Sequence, residues 1–331
     1  MKVCVYGAGA IGGYLASALS AGGAEVSVVA RGQHLSAIRE RGLRVRLSGS
    51  ERTVRLAASD RPEDFGAQDC VVLAMKATAV APILDRLPAL FHDNTCVLGA
   101  INGIPWWYFH EFGGAYEGKH LASVDPGGRQ WSVIGPNRAV GCVVYPAAEM
   151  VEPGLINVKS GDRFVIGEPS GQPSQRTAML AEIMRKGGLT APIRPRIREE
   201  IWVKLWGNLS FNPISVLTGA TLAGICRNNG TRALARFMML EAELVAGALG
   251  VTMPIGVEKR IAGAEALGEH KTSMLQDFER GRPMEIEALA GSVAELGRLT
   301  AVPTPLLDAV LALARLKAQT AGLELLPALA P

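Results

Sequence analysis

Several features that would mark a metal-binding, nucleic-acid-binding, membrane or repeat protein are scarce or missing from this chain. Its 331 residues hold five cysteines (Cys4, Cys70, Cys96, Cys142 and Cys226), with no Cys-x-x-Cys pair and no zinc-like spacing, so they read as reduced core residues and no metal site is expected. Neither sign of charge dominates: 34 Lys+Arg against 31 Asp+Glu leave a formal charge of +3, too small and too dispersed for a nucleic-acid face or a polybasic membrane patch. No uncharged, glycine-poor apolar run reaches the roughly 20 residues of a membrane span. There is no repeat at a fixed period and no low-complexity segment. The first two dozen residues are apolar enough to imitate a signal peptide, but one early lysine, a patterned glycine turn and no convincing cleavage site point to a cytoplasmic protein. The apolar closing stretch 323–331 is expected to pack or fray, not to insert. These absences leave a small molecule as the expected partner.

The chain is long enough for two cores, since single cores stop growing near roughly 250–300 residues. Strand-like runs (3–6, 25–30) alternate with helix-like ones (11–21, 33–41) from the start, which is the pattern of a parallel, helix-covered sheet. Residues 43–47 and 52–56 flank a Ser-Gly-Ser turn as a hairpin, 70–75 and 96–99 add buried strands, and 78–90 reads as a helix despite its prolines. From 131 to 167, short strands with Gly and Pro turns predict an antiparallel extension of the same sheet. A helix over 176–186 and a connector over 191–196 follow, and beyond 197 the periodicity is helical almost throughout. The expected fold class is α/β: an N-terminal Rossmann-type doubly wound sheet with an antiparallel extension over 1–192, then an all-α domain over 193–331.

Gly7-Ala8-Gly9-Ala10-Ile11-Gly12 lies directly between a buried strand and a helix, the setting that gives a G-x-G-x-x-G match its meaning. Gly7 permits the tight turn, Gly9 lets the backbone approach a pyrophosphate, Gly12 allows close helix–strand packing, and the helix N-terminus, with Ala10 and Ile11, faces the phosphate charge. About 20 residues beyond the last glycine, where an NAD-selective protein carries an acid for the ribose, stands Arg31. A guanidinium there can hold a 2′-phosphate by charge-assisted hydrogen bonds, so the expected cofactor is NADP(H); the competing reading is an ordinary solvated arginine. Lys76 closes the next buried strand and is a second candidate phosphate contact, or an unremarkable strand-end lysine. Asn102-Gly103 follows the fifth strand, at the level expected for nicotinamide and substrate, and is otherwise a common turn dipeptide.

In the second half, Lys204, Asn208 and Asn212 fall within about 80° of one another on a helix whose other residues are almost all apolar. Polar groups on such a helix cost free energy unless they face a polar cleft. The alternative is that Lys204 snorkels while the asparagines satisfy backbone groups. Pro213 is expected to end or kink this helix at Asn212. A second cluster runs Ser273-Met274-Leu275-Gln276-Asp277 and Gly281-Arg282-Pro283-Met284-Glu285-Ile286, with Pro283 suited to start a helix that carries Glu285 in its first turn.

Taken in order, the glycine turn with its following arginine, the strand ending in Lys76, Asn102-Gly103, W-x-K-x-x-x-N-x-x-x-N-P and S-M-x-x-D…G-R-x-x-E-I resemble the ketopantoate reductase (2-dehydropantoate 2-reductase) family over nearly the whole chain. The resemblance implies an NADP-dependent oxidoreductase acting on a CH–OH group in pantothenate biosynthesis. It implies that Lys204 is the general acid, that Glu285 binds and orients substrate and lysine, and that Asn208, Asn212 and Ser273 hold the 2-oxo acid. Asn102 would lie between cofactor and substrate, and Asp277 would support the second cluster. The chemistry of the residues agrees, because hydride reduction of a ketone builds negative charge that an ammonium both stabilises and protonates. Two departures bear on the substrate: the aromatic run Trp106-Trp107-Tyr108-Phe109 after Asn102-Gly103, expected to alter the site's edge, and His270, where the family often carries an asparagine. Another branched or aromatic 2-oxo acid is therefore a second reading, and a non-catalytic NADP(H)-sensing regulator a third. Family members occur as monomers and homodimers, and both remain open.

Overall fold

A computed structural model describes residues 1–323. Of the closing apolar stretch, 324–331 lie outside the described residues. Contacts divide the chain into two units, the first comprising Met1–Ile101, Trp107–Lys119 and Arg129–Ile197, the second Asn102–Trp106, His120–Gly128 and the chain from Arg198 onward.

In the first unit the chain runs β1 (Lys2–Tyr6), α1 (Ala10–Ala21), β2 (Glu25–Val29), α2 (Gly32–Arg41), β3 (Leu43–Leu47), β4 (Ser50–Val54), β5 (Ala57–Ser59), β6 (Gln68–Leu73), β7 (Phe91–Gly99) and α3 (Arg129–Ile134). It continues with β8 (Ala139–Val144), β9 (Ala147–Glu152), β10 (Leu155–Ser160), β11 (Phe164–Gly167) and α4 (Gln175–Lys186). The main sheet has the order β11-β8-β7-β6-β1-β2-β5, parallel except for β11, which runs antiparallel to β8. The order reverses beside β1, and Tyr6 pairs with both Val29 and Leu73 while Leu73 pairs with Gly99, so the carboxyl ends of four strands finish level. That edge is where ligands of such sheets bind.

The antiparallel extension holds only for β11. β9 and β10 instead join β3 and β4 in a second sheet of order β4-β3-β10-β9, with β10 parallel to β3. α1 explains why: Ala10–Ala21 is apolar on every side, and it packs against β1 and β2 as well as β3, β4, β9 and β10. A helix without a polar face needs cover all round. The segment read as a helix over 78–90 is instead 3₁₀, Ala77–Ala79 and Ala81–Leu90, because Pro82 and Pro88 cannot donate to an α ladder.

The second unit is helical: α5 (Ile197–Thr218, whose first residue closes the first unit), α6 (Leu222–Arg227), α7 (Asn229–Ala248), α8 (Val257–Glu265), α9 (Ser273–Glu279), a π-helical turn (Glu287–Gly291), α10 (Ser292–Thr300) and α11 (Pro305–Thr320). Glu199 and Glu200 in the first turn of α5 complement the helix dipole. Trp202, Trp206 and Phe211 are fully buried along it, and the Trp206 indole donates to the Met239 carbonyl at 2.9 Å. Pro213 does not end the helix, which runs on to Thr218. The cost of the missing N–H is met by the burial of both flanks, Phe211 and Ile214 each being 1 % exposed.

Candidate active site

The first unit supplies a dinucleotide turn. Gly7 adopts φ +98°, and a Cβ there would stand 2.7 Å from the Ala74 carbonyl oxygen; a Cβ on Gly12 would stand 1.9 Å from the Gly7 oxygen. Both glycines are sterically required. Among the described residues, chain neighbours aside, nothing lies within 4 Å of where a Cβ on Gly9, the N-cap of α1, would be. The turn's backbone is thus open, and the first N–H groups of α1, with Ala10 and Ile11 at its start, are available to a phosphate. The residues present fit a dinucleotide.

Arg31 follows β2 as the N-cap residue of α2 and is exposed, the condition for meeting a 2′-phosphate. Lys76 lies three residues past β6 and is half-buried. Sequence reasoning passed over His34. Its Nδ1 accepts from the Gly154 N–H at 2.9 Å, so Nε2 carries the proton and donates to the Ala8 carbonyl at 2.6 Å. One imidazole therefore ties the glycine turn to the β9–β10 turn. No periodicity or motif marks it, because both partners are backbone groups remote in the chain.

The second unit gathers the polar stripe. Lys204 Nζ donates to Asn102 Oδ1 at 2.6 Å, so two residues 102 positions apart meet. Asn208 is half-buried one turn along α5. Asn212, 4 % exposed, has its Nδ2 buried with no hydrogen-bond partner among the described residues. Such a donor costs free energy unless a ligand takes it. Ser273 opens α9 and is exposed, and Thr272 caps that helix by accepting from the Leu275 N–H. A hydroxyl relay joins the two elements: Ser215 Oγ donates to the Asn212 carbonyl at 2.7 Å and meets Thr272 Oγ1 at 2.5 Å. Ser215 and Thr272 carry no signal in the sequence, since a hydroxyl in a helix is unremarkable until its neighbour is known. The Asp277 carbonyl accepts from the Arg280 and Arg282 N–H groups and closes α9.

Pro283 does not start a helix. The helical backbone begins at Ile286, and Glu285 stands just before it, half-buried, its carbonyl accepting from the Leu289 N–H. Pro283 is three residues too early because Met284, 2 % exposed, first carries the chain into the core in a non-helical conformation. In the aromatic run, Trp106, Trp107, Tyr108 and Phe109 are all buried. Tyr108, Phe109, Phe112 and Tyr116 pack ring on ring within the first unit. His270 is half-buried, and its carbonyl accepts from the Leu222 N–H. Among the described residues no group of His, Cys, Asp or Glu is arranged to hold a metal ion, and no helix is long and apolar enough to cross a membrane.

A doubly wound sheet with an open glycine turn, followed in the chain by a helical unit that sets a lysine against an asparagine, defines a nicotinamide-dinucleotide oxidoreductase. Comparison with known proteins narrows the class. Residues 3–171 match the family model "Ketopantoate reductase PanE/ApbA" and residues 196–318 its C-terminal counterpart. A 2-dehydropantoate 2-reductase of Mesorhizobium japonicum is 59% identical over 316 residues, 95% of this chain and 97% of that protein. A solved protein of Ralstonia solanacearum has a TM-score of 0.91 at 40% identity, covering 97% of this chain and 99% of its own. The crystal structure of 2-dehydropantoate 2-reductase from Methylococcus capsulatus gives 0.84 at 28% identity, covering 98% and 99%. The chain belongs to the ketopantoate reductase family, oxidoreductases that act on a CH–OH group and use NADPH.

Proposed function

We propose that this protein reduces 2-dehydropantoate to (R)-pantoate with NADPH, as a cytoplasmic step of pantothenate biosynthesis, with residues 1–192 holding the dinucleotide and 193–331 the substrate. The observation that carries the chemistry is Lys204 bonded to Asn102 on a buried helix whose same face ends in the unpartnered amide of Asn212. The identity with the Mesorhizobium japonicum enzyme supports the choice of acid.

Gly7, Gly9, Ala10, Ile11 and Gly12 would hold the pyrophosphate, Arg31 the 2′-phosphate, and Lys76 and Asn102 further parts of the dinucleotide. When bound, the reduced nicotinamide supplies a hydride to the carbonyl carbon. The alkoxide charge that builds on the carbonyl oxygen is stabilised by the Lys204 ammonium, which gives up a proton to form the hydroxyl; this contributes about 10²–10⁴-fold. Asn102 orients that ammonium through the 2.6 Å bond. Glu285 orients substrate and lysine, and Asn208, Asn212 and Ser273 bind the oxo acid, the Asn212 Nδ2 gaining its missing acceptor.

A panel of 2-oxo acids with NADPH oxidation as readout tests this. Turnover of 2-dehydropantoate above bulkier branched or aromatic acids is expected, and Lys204→Ala should lose about 10²–10⁴ in kcat while still binding NADPH. No turnover of 2-dehydropantoate beside turnover of a bulkier acid overturns the substrate, and no turnover of any oxo acid overturns the enzyme reading. A homodimer belongs to the same proposal: Phe237 and Leu244 on α7 and Leu313 and Leu316 on α11 are exposed apolar side chains on helices that pack together. A solution mass of 35.0 kDa, that of one chain, would rule it out.

A further inference from the structure

Just before α10 the chain makes one turn that is not an α-turn. Glu287–Gly291 is π-helical, a conformation that is rare and intrinsically poorer than α and so needs a tertiary reason to persist. The reason sits on its first residue. Glu287, 5 % exposed, accepts from Arg315 on α11 in a fork: Nε to Oε1 at 2.7 Å and Nη2 to Oε2 at 2.6 Å. The fork needs room. A Cβ on Gly291 would stand 2.3 Å from Glu287 Oε2, so any larger residue there would push the carboxylate out of the notch in which it lies.

The Ala288 carbonyl, inside this turn, meets groups on two sides. That oxygen takes the Ser292 hydroxyl at 2.9 Å and the Ile104 N–H at 3.4 Å. Gly103 lies against it so closely, at φ +99°, that a Cβ would come within 2.3 Å. The residue before Gly103 is Asn102, whose Oδ1 holds Lys204. Glu285 is two residues before the turn begins. The π turn thus lies against the loop that carries Asn102 and begins two residues after Glu285.

We infer that the Glu287–Arg315 pair, seated in the Gly291 notch, is a positioning device that keeps the π turn in register and so aligns Asn102, and through it Lys204, for proton transfer. A buried ion pair adds little net stability, because desolvating both charges offsets their attraction, whereas fixing a register is a use such pairs are known to serve. The bidentate fork fixes both distance and angle, which a single-point contact would not. Relaxation of the turn to α geometry would withdraw the Ala288 carbonyl from Gly103 and Ile104 and release the loop.

The inference rests on Lys204 being the proton donor, so the test carries Lys204→Ala alongside. Steady-state kinetics on 2-dehydropantoate are compared for Glu287→Gln, Gly291→Ala and Arg315→Lys, with NADPH affinity measured separately by fluorescence. Misplacement of a catalytic group by about 1 Å costs up to about 100-fold. The expected result is a kcat loss of roughly 10–100-fold on that ground, an oxo-acid KM changed by less, unaltered NADPH affinity and a larger solvent deuterium isotope effect on kcat. A merely structural pair would lower the melting temperature and leave the isotope effect alone. If Glu287→Gln does not fold, Gly291→Ala and Arg315→Lys, which keep both charges, decide by the same criteria. Unchanged kcat in those variants beside a dead Lys204→Ala overturns this inference alone; an active Lys204→Ala overturns the proton-donor reading itself.

Discussion

Asn212→Leu should make the protein more stable and the enzyme worse. Leucine branches where asparagine does and is nearly its shape, but it has no donor to bury. The native Nδ2 is buried without a partner in a residue that is 4 % exposed. An unsatisfied buried donor costs about 1–3 kcal/mol, and that penalty disappears in the variant. Apolar burial adds to the gain, and any overpacking subtracts from it. The melting temperature should rise by several degrees, at about 2–4 °C per kcal/mol for a chain of this size class. The same amide is read as a donor to the oxo acid, and a hydrogen bond to a charged group is worth about 1.5–3 kcal/mol. Its loss should lower kcat/KM roughly 10–150-fold, since 1.4 kcal/mol is tenfold. Calorimetry and NADPH oxidation measure the two effects separately. A variant that melts below the parent, or one that turns over at the parental rate, would refute the claim that this amide is kept unsatisfied for a ligand.

Arg31→Ala should weaken NADPH binding and leave NADH nearly unaffected; an unchanged preference between the two sinks the 2′-phosphate assignment. His34→Ala removes both the donor to Ala8 and the acceptor from Gly154, and should raise the NADPH dissociation constant about tenfold for roughly 1–2 kcal/mol of lost hydrogen bonding, with partial rescue by His34→Gln. Burial pushes the Cys4 thiol up to about 12, and burial likewise raises Tyr6 and Tyr14. A group whose folded value is raised contributes stability in full below its unfolded value, near 9.0 for Cys4, and loses it as pH climbs toward the folded one. Denaturant midpoints should therefore fall steadily between about pH 9 and 12. A thiol-specific reagent at neutral pH should find none of the five buried cysteines in the native protein.

What could be read from the residues follows from how local the signal is. The glycine turn is a local object: strand, Gly7, Gly9, Gly12 and helix are contiguous, and the steric demand of each glycine is met by atoms a few residues away or by the adjoining strand. The positions of Arg31 and Lys76 were legible for the same reason, as the first polar residues past the buried strands β2 and β6. The stripe Lys204-Asn208-Asn212 needed only the period of one helix. Element boundaries failed where tertiary burial outweighed local preference. Pro213 does not end its helix, one of the two outcomes expected of it, and the prolines of Ala81–Leu90 turned an expected α-helix into 3₁₀. Pro283 reads as a helix start, yet the backbone becomes helical only at Ile286.

The sequence by itself determined the parallel sheet, the dinucleotide turn and the face of α5 that carries polar groups, because each is encoded in a run of neighbours with one periodicity. Only the tertiary structure decided which remote groups meet. It brought Lys204 to Asn102, placed His34 between Ala8 and Gly154, and seated Glu287 in the notch of Gly291 opposite Arg315. It also drew β9 and β10 away from the main sheet to cover α1. Hydrogen bonds and ion pairs reach only a few ångströms, so they depend on where the chain finishes, whereas hydrophobic periodicity is written before it folds.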